Sequence, residues 1–283
     1  MAARIPVSGA INLREPVNRN HPLARGLVAW YLVLPNDGRA GWTWFDLCKN
    51  NDLTLTAGPT FEGPRGRQGG WGSVQFTTAS SQFGVLLSAP VVPYPFSMGC
   101  LFRVGNITAI QGLMGIGRSA STSNDFHALH AAGTIGGDPI RYAAREAAGT
   151  IRNADTSVGY TANNWHSAFA VGDSATSRRV YLDGGSEGTN TVSCTPGSLT
   201  RFRVGHCIWP TPDFLNGRLD SPCVYNRALT ADEVREWTLL SRRGFPGLLN
   251  RLKHRLIYSI PAAAPGGDAV PQVWSQYRRR HAG

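Results

Sequence analysis

From Gly26 onwards the chain repeats one device: a short run of apolar and β-branched residues, then a break at Gly, Pro, Asn or Ser. The runs include GLVAWYLV (26–33), SVQFT (73–77), FSMGCLFRV (96–104) and FHALHA (126–131). They continue with WHSAFAV (165–171), RRVYLDG (178–184), RFRVGHCIW (201–209) and GRLDSPCVYNRAL (217–229). Runs of this kind, bounded by turn residues, read as strands, and many of them at short spacing predict an antiparallel sandwich or barrel. The 33 Gly and 18 Pro are spread along the chain and supply turns. A hydrophobic content of 42% with eight Trp is enough to build a core, which excludes a disordered chain.

Within RRVYLDG, Val180 and Leu182 share one face and Arg179, Tyr181 and Asp183 the other, because side chains alternate along a strand. One face is expected to be buried and the other wet or lining a groove. Asp183-Gly184-Gly185 is a hairpin-turn signal, since Gly reaches positive φ without a steric cost. Thr230-Ala231-Asp232-Glu233 matches a capping box and starts one helix, on which Val234, Trp237 and Leu240 form the apolar stripe. Gly244 is its expected stop. The five cysteines (Cys48, Cys100, Cys194, Cys207, Cys223) form no C-x-x-C pair and leave an odd one over, so buried thiols are expected rather than a disulfide framework.

The formal net charge is +10, yet only 16% of residues are charged, and position decides its meaning. Residues 1–25 hold four basic residues against one acid, residues 26–241 hold sixteen of each, and residues 242–283 hold eight against one. A neutral body excludes a uniformly basic nucleic-acid-binding domain. The ends are Pro-punctuated and basic, and the C-terminal one also carries Leu252, Leu256, Trp274 and Tyr277 before Arg278-Arg279-Arg280. That end is more apolar than a solvated tail, and arms that dock onto neighbouring subunits are the expectation. No run approaches the roughly 18 apolar residues of a membrane span, and Met1–Asn12 lacks a continuous apolar stretch of signal-peptide length.

Gly217-Arg218-Leu219-Asp220, then Val224-Tyr225-Asn226-Arg227-Ala228-Leu229 and the capped helix, resemble the closing signature of the concanavalin A-like, laminin-G-like jelly-roll family. Gly26-Leu27-Val28-Ala29-Trp30-Tyr31 resembles that family's opening strand. Asn164-Trp165-His166 with Ala168 resembles its W-H-H-V-A strand, and Tyr181-Leu182-Asp183-Gly184 its Y-x-D-G hairpin. Asp46 with Asn50 and Asn51 is similar to the family's D-x-S-G-x-G-N turn, although Leu47-Cys48-Lys49 replace the small residues. The resemblance implies an all-β, two-sheet antiparallel jelly-roll sandwich with one short C-terminal helix and extended terminal arms. It divides the chain into an N-terminal arm over 1–23, a laminin-G-like domain over 24–243 and a basic C-terminal arm over 244–283.

Such a fold hosts lectins, glycosidases, adhesion modules and structural proteins, so function must come from the site. The superfamily's glucanases carry an E-x-D-x-x-E strand, and retaining chemistry needs two carboxylates roughly 5 Å apart. The six Glu (Glu15, Glu62, Glu146, Glu187, Glu233, Glu236) show no such pattern, and Glu233 is committed to the cap. No enzyme activity is expected. His127 and His130, three apart on a strand, fall on opposite faces, and no His/Cys set has zinc spacing. His166 is expected to be a hydrogen-bonded strand residue. The resemblance implies a structural calcium, with Asp46 and Asp220 as the transferable ligands. Glycan binding would use aromatic faces, and Trp42, Trp44, Trp71, Tyr94 and Trp209 are the candidates in loop-like contexts.

These readings combine into a non-catalytic structural or adhesion protein of a larger assembly. A virion component of a bacterial virus fits best, such as a capsid decoration, fibre or tail protein made in the host cytoplasm without a leader. Its expected partners are other assembly subunits through the arms, a cell-surface glycan and further copies of itself, with neither a specific nucleic acid nor a membrane span. The alternatives are a free bacterial lectin, cytoplasmic or exported without a leader, and a glycoside-active enzyme.

Overall fold

A computed structural model describes residues 15–33, 42–63, 72–91, 94–118, 125–147, 149–197, 199–207 and 213–250. All of them belong to one compact unit, Ile11–Arg251. The strands are β1 (Leu27–Trp30), β2 (Thr43–Trp44), β3 (Leu53–Thr56), β4 (Thr60–Glu62), β5 (Ser73–Phe76), β6 (Phe83–Leu86), β7 (Phe96–Val104) and β8 (Ile110–Gly117). There follow β9 (Phe126–Ala132), β10 (Pro139–Arg145), β11 (Arg152–Gly159), β12 (His166–Ser174), β13 (Ser177–Leu182), β14 (Gly185–Asn190), β15 (Arg201–Val204), β16 (Gly217–Tyr225) and the helix α1 (Ala231–Arg242).

The strands form two antiparallel sheets. The first runs β14-β13-β12-β7-β16-β5-β4, with β1 also paired to β16, and the second runs β11-β10-β9-β8-β15-β6-β3-β2. This is the jelly-roll sandwich that the resemblance implied. Alternation along each strand builds the core between the sheets. Phe96, Met98, Cys100, Phe102 and Val104 of β7 face Leu129 and Ala131 of β9 and Ile140, Tyr142 and Ala144 of β10. Each large side chain withdrawn from water there stabilises the sandwich by about 1.5–3 kcal/mol. The β13–β14 turn has two residues, Asp183 at φ 54° and Gly184 at φ 76°, and two successive positive φ values make it a type I′ hairpin.

The central strands of the first sheet are buried on both faces over much of their length. Leu101, Phe169, Val171, Tyr181 and Tyr225 point away from the sandwich core and meet Val234 and Trp237 of α1. Trp237 packs edge-on against Phe169 with ring centroids 4.8 Å apart. The expected wet face of β13 is therefore covered, and Tyr181 is only 2% exposed. The capping box is present: Thr230 Oγ1 accepts from the Glu233 amide at 3.2 Å, and Glu233 Oε2 accepts from the Thr230 amide at 3.0 Å. The buried stripe of α1 is Val234, Trp237, Thr238 and Ser241, with Leu240 half-buried, because steps of three and four residues track one face better than two steps of three.

The folded body is longer at both ends than 24–243. Val17 and Leu249 form an antiparallel bridge, Asn18 N donates to Leu248 O at 2.8 Å, and Asn250 N donates to Pro16 O at 2.8 Å. Val17, Leu23, Phe245, Leu248 and Leu249 are all buried in the cluster over the first sheet. The apolar residues just outside the expected boundaries thus finish a core layer. Leu252, Leu256, Trp274, Tyr277 and Arg278 to Arg280 lie outside the described residues. No helix among the described residues is long and apolar enough to cross a membrane.

Candidate functional site

The outer face of the second sheet is where the fold leaves room. Small residues pave it: Gly112 and Gly115 on β8, Ala128 on β9 and Ala143 on β10. Cys207 and Asp213 settle onto this paving. A Cβ on Gly112 would lie 2.5 Å from Cys207 N and 2.8 Å from Asp213 Oδ2, so the close approach requires glycine there. Gly112 N also donates to Asp213 O at 2.6 Å, and Cys207 N to Asp213 Oδ1 at 3.3 Å.

Beside Cys207 and Asp213 is a cavity of about 520 Å³ lined by Thr108, Ala109, Ile110, His130, Thr134, Arg141, Ala143, Ile151, Asn153 and Asp213. Its polar groups are held in place. Arg141 makes a two-pronged pair with Asp155, Nε to Oδ1 and Nη2 to Oδ2, both 2.7 Å. That pairing uses two of the five guanidinium N–H donors and fixes its plane. His130 Nε2 lies 2.9 Å from Asp213 Oδ2. Thr108, Ile110 and Thr134 at the rim are exposed, whereas Ala143 is buried. Apolar floor, convergent polar groups and open rim are the ingredients of a small-ligand or glycan site.

A second cleft, of about 440 Å³, lies at the other sheet's outer face between Leu101, Arg103, Asn164, Trp165, His166, Asp183 and Arg242. His166 is the natural suspect there, but both ring nitrogens are engaged. Nδ1 is 2.7 Å from Asp183 Oδ2, and Nε2 accepts from the Thr161 amide at 3.1 Å. The ring is therefore a neutral tautomer that donates at Nδ1, and it ties β12 to the β13–β14 hairpin. It is the hydrogen-bonded strand residue that its sequence context implied.

The structure scatters the aromatic candidates. Trp44 is 1% exposed and belongs to the inter-sheet core, so neither face of its indole is open to a sugar. Trp42 is 58% exposed but sits beside β2, at the opposite edge of the second sheet from β11. With four strand spacings between β2 and β8, it is about 19 Å from the groove. Tyr94 stacks on Phe96, contacts His127 and donates to Cys194 O at 3.3 Å. Trp71 and Trp209 lie outside the described residues.

The two carboxylates expected to bind calcium have other work. Asp46 is 4% exposed, and N–H donors crowd both its oxygens. Oδ1 accepts from Trp30 N and Cys48 N, both at 2.8 Å, and Oδ2 from Asn50 N and Asn51 N, both at 3.2 Å, and from Asn51 Nδ2 at 3.5 Å. It is the hub of the turn after β2, and lone pairs aimed at N–H groups are not aimed at an ion. Asp220 is fully buried in β16 and accepts from Ser221 Oγ at 2.8 Å, at a bulge where Ser221 has φ 55°. Neither resembles the solvent-reachable oxygen cage that calcium takes.

Histidine and cysteine are also distributed by face. His127 points into the sandwich core, where Tyr142 Oη is 2.9 Å from its Nδ1, and burial, together with Arg178, holds its pKa down at about 3. His130, three residues on, points to the outer face, where it meets Cys207 and Asp213. Sequence spacing could not reveal this trio, because His130 and Asp213 are 83 positions apart. All five cysteines are buried free thiols, as expected.

Among curated proteins, none matches this chain in sequence. Solved structures with the same architecture are numerous. Domain 4 of an extracellular arabinanase from Geobacillus stearothermophilus, in complex with arabinotriose, superposes with a TM-score of 0.58 at 18% identity, over 75% of this chain and 98% of that domain. The Trypanosoma rangeli sialidase gives 0.54 at 16% identity, over 76% of this chain and 33% of the sialidase. The receptor-binding domain of botulinum neurotoxin type G gives 0.55 at 13%, over 76% and 51%. The chain thus spans about a third of the sialidase and about half of the toxin domain. These likenesses concern the fold. Residues 93–235 match the laminin-G-like family model of the concanavalin A-like lectin/glucanases superfamily, half of the whole chain, and the protein belongs to that family.

Proposed function

We propose that this protein is a non-catalytic binding module that holds carbohydrate in the groove on the outer face of its second sheet. The observation that carries this reading is the groove: about 520 Å³, paved with small residues, with Arg141 locked by Asp155 and Asn153 beside it. Sugar hydroxyls alternate donors and acceptors around a weakly apolar ring, and fixed polar groups over an alanine and isoleucine floor are complementary to that pattern. The arabinanase domain in complex with arabinotriose has this architecture, which supports a sugar rather than a peptide as ligand. The named relatives also include a sialidase, so catalysis is the rival reading.

The module serves a larger assembly, for which we favour the virion of a bacterial virus. Support for that comes from the sequence, in the neutral body and the basic, apolar, Pro-punctuated ends.

The test is a glycan array on the full chain, followed by calorimetry with the best ligand. Arg141→Ala and Asn153→Ala should each weaken binding about tenfold or more, about 1.4 kcal/mol. Trp42→Ala, at the far edge of the sheet, should leave it unchanged. Binding that survives both groove changes but is lost with Trp42→Ala or Arg242→Ala would place the site elsewhere. Sugar release from a polysaccharide panel, abolished by one Asp or Glu substitution, would overturn the non-catalytic reading.

A further inference from the structure

We propose that His130, Cys207 and Asp213 form a binding site for a divalent transition-metal ion of the zinc class, set in the floor of the groove. Their ligand atoms, one imidazole nitrogen, one sulfur and one carboxylate oxygen, all lie within 4.8 Å of one another, and all three residues are buried. His130 and Asp213 also line the groove, so the site is closed by protein on one side and open to the groove on the other. Three protein ligands with one position left for water or a ligand is the arrangement of an open zinc site.

The donor set selects the metal. Nitrogen, sulfur and oxygen together suit a borderline-soft ion, whereas calcium and magnesium take oxygen alone. A supporting layer is present. His206 Nε2 lies 3.5 Å from Asp213 Oδ1, which leaves Oδ2 facing His130 and orients the carboxylate between two imidazoles. The Cys207 thiol, 3.2 Å from Met114 O and 3.3 Å from Leu129 O, lies over β8 and β9, and these two S–H contacts are given up when the sulfur ionises onto the metal. Gly112 and Gly115 let both ligand residues come down onto the sheet.

Binding is balanced by proton movement. The Cys207 S–H bond breaks, a metal–sulfur bond forms, and one proton leaves to solvent. His130 meets the metal through an unprotonated Nε2, with the ring proton on Nδ1, so no net proton is exchanged at the ring. With bonds of about 2.0–2.3 Å in tetrahedral geometry, ligand atoms sit about 3.3–3.7 Å apart, so the 2.9 Å pair of His130 and Asp213 opens by about 0.5 Å while the sulfur moves in by about 1 Å at most. This inference stands without the carbohydrate reading, because the metal is measured with no sugar present.

The experiment uses the full chain, stripped with EDTA and gel-filtered, then titrated with zinc or cobalt chloride alone. Elemental analysis after a second gel filtration should find one zinc per chain. Cobalt should give a thiolate-to-metal charge-transfer band and intense visible bands of a four-coordinate site. Cys207→Ser should abolish the charge-transfer band, and Asp213→Asn should weaken zinc binding by about tenfold or more. Cys48→Ser and Cys194→Ser should change neither. Absence of the band in the wild-type chain would overturn the proposal whatever the variants do. Its persistence in a Cys207→Ser chain with native circular dichroism would do the same.

Discussion

Replacing Asp46 by Asn separates two accounts of the turn after β2, because it keeps the shape of the side chain while turning one acceptor oxygen into a donor. Five N–H groups point at the carboxylate, two at Oδ1 and three at Oδ2. If the amide nitrogen takes the Oδ1 position, the Trp30 and Cys48 amides each face another donor. If it takes the Oδ2 position, the Asn50 and Asn51 amides and the Asn51 side chain do. Either way at least two donors lose their acceptor in a poorly solvated site, at about 1–3 kcal/mol each. The sum is about 4 kcal/mol, equivalent to a fall in Tm of about 10 °C for a body of this size. The assay is guanidinium unfolding followed by Trp fluorescence, repeated with excess EDTA and with calcium. The hub account expects the full loss in all three conditions, with EDTA shifting wild type and variant equally, since any ion lost from the His130 site is lost from both, and with calcium moving neither. A loss below about 1 kcal/mol, or a wild-type midpoint that EDTA lowers to that of the variant, would refute it in favour of an ion.

His127 makes acid stability measurable. Its folded pKa of about 3 lies below the ordinary value, so the unfolded chain binds a proton that the folded one refuses, and stability is complete above pH 6.5 and falls with acid. Between pH 6.5 and 4 the slope difference between wild type and His127→Gln should approach about 1.4 kcal/mol per pH unit in urea melts; parallel profiles would contradict it. Glu233 is likewise displaced downward, below the usual carboxylate range, held down first by Arg227, with Nη1 to Oε2 at 2.7 Å, and also by the Thr230 amide. Its contribution is present above its unfolded pKa and is lost as pH falls through the folded one, so Glu233→Gln should destabilise at pH 7 and be silent at pH 2. Thr230→Ala, which removes the other half of the cap, should cost about 1 kcal/mol by chemical denaturation. Gly112→Ala should push a methyl into Cys207 N and Asp213, costing about 1–3 kcal/mol and weakening zinc binding in the same preparation.

Much of the architecture was written in local pattern. Period-two alternation in FSMGCLFRV gives β7 its inward Phe96, Met98, Cys100, Phe102 and Val104, and Asp183-Gly184 dictates the I′ turn through φ alone. The capping box was equally visible because all its partners lie within four residues. What stayed hidden depends on contacts between distant segments. Tyr181 sits on the face of β13 opposite Val180, and nothing in RRVYLDG reveals that α1 and the segments 17–24 and 245–249 cover that face. Asp46 carries the residue type of a calcium ligand, and only the five N–H groups around it show how its oxygens are spent. The His130, Cys207 and Asp213 cluster escapes any spacing rule, since a strand and a distant connection bring it together across a stripe of glycines. The aromatic residues were legible as a class but not by place, and Trp44 went to the core.

The join between the two ends of the folded body has a practical meaning. Asn250 Nδ2 donates to Glu15 O at 2.9 Å, so the polypeptide enters and leaves the body side by side, on the face that α1 covers. The groove is on the far side of both sheets. The body therefore has a back, where residues 15 and 250 meet, and a front, which carries the groove. In a body trimmed to 15–250, a tag, a fusion partner or an immobilising resin attached at either of these two residues leaves the front presented outward, and swapping one for the other should not alter what the groove can reach.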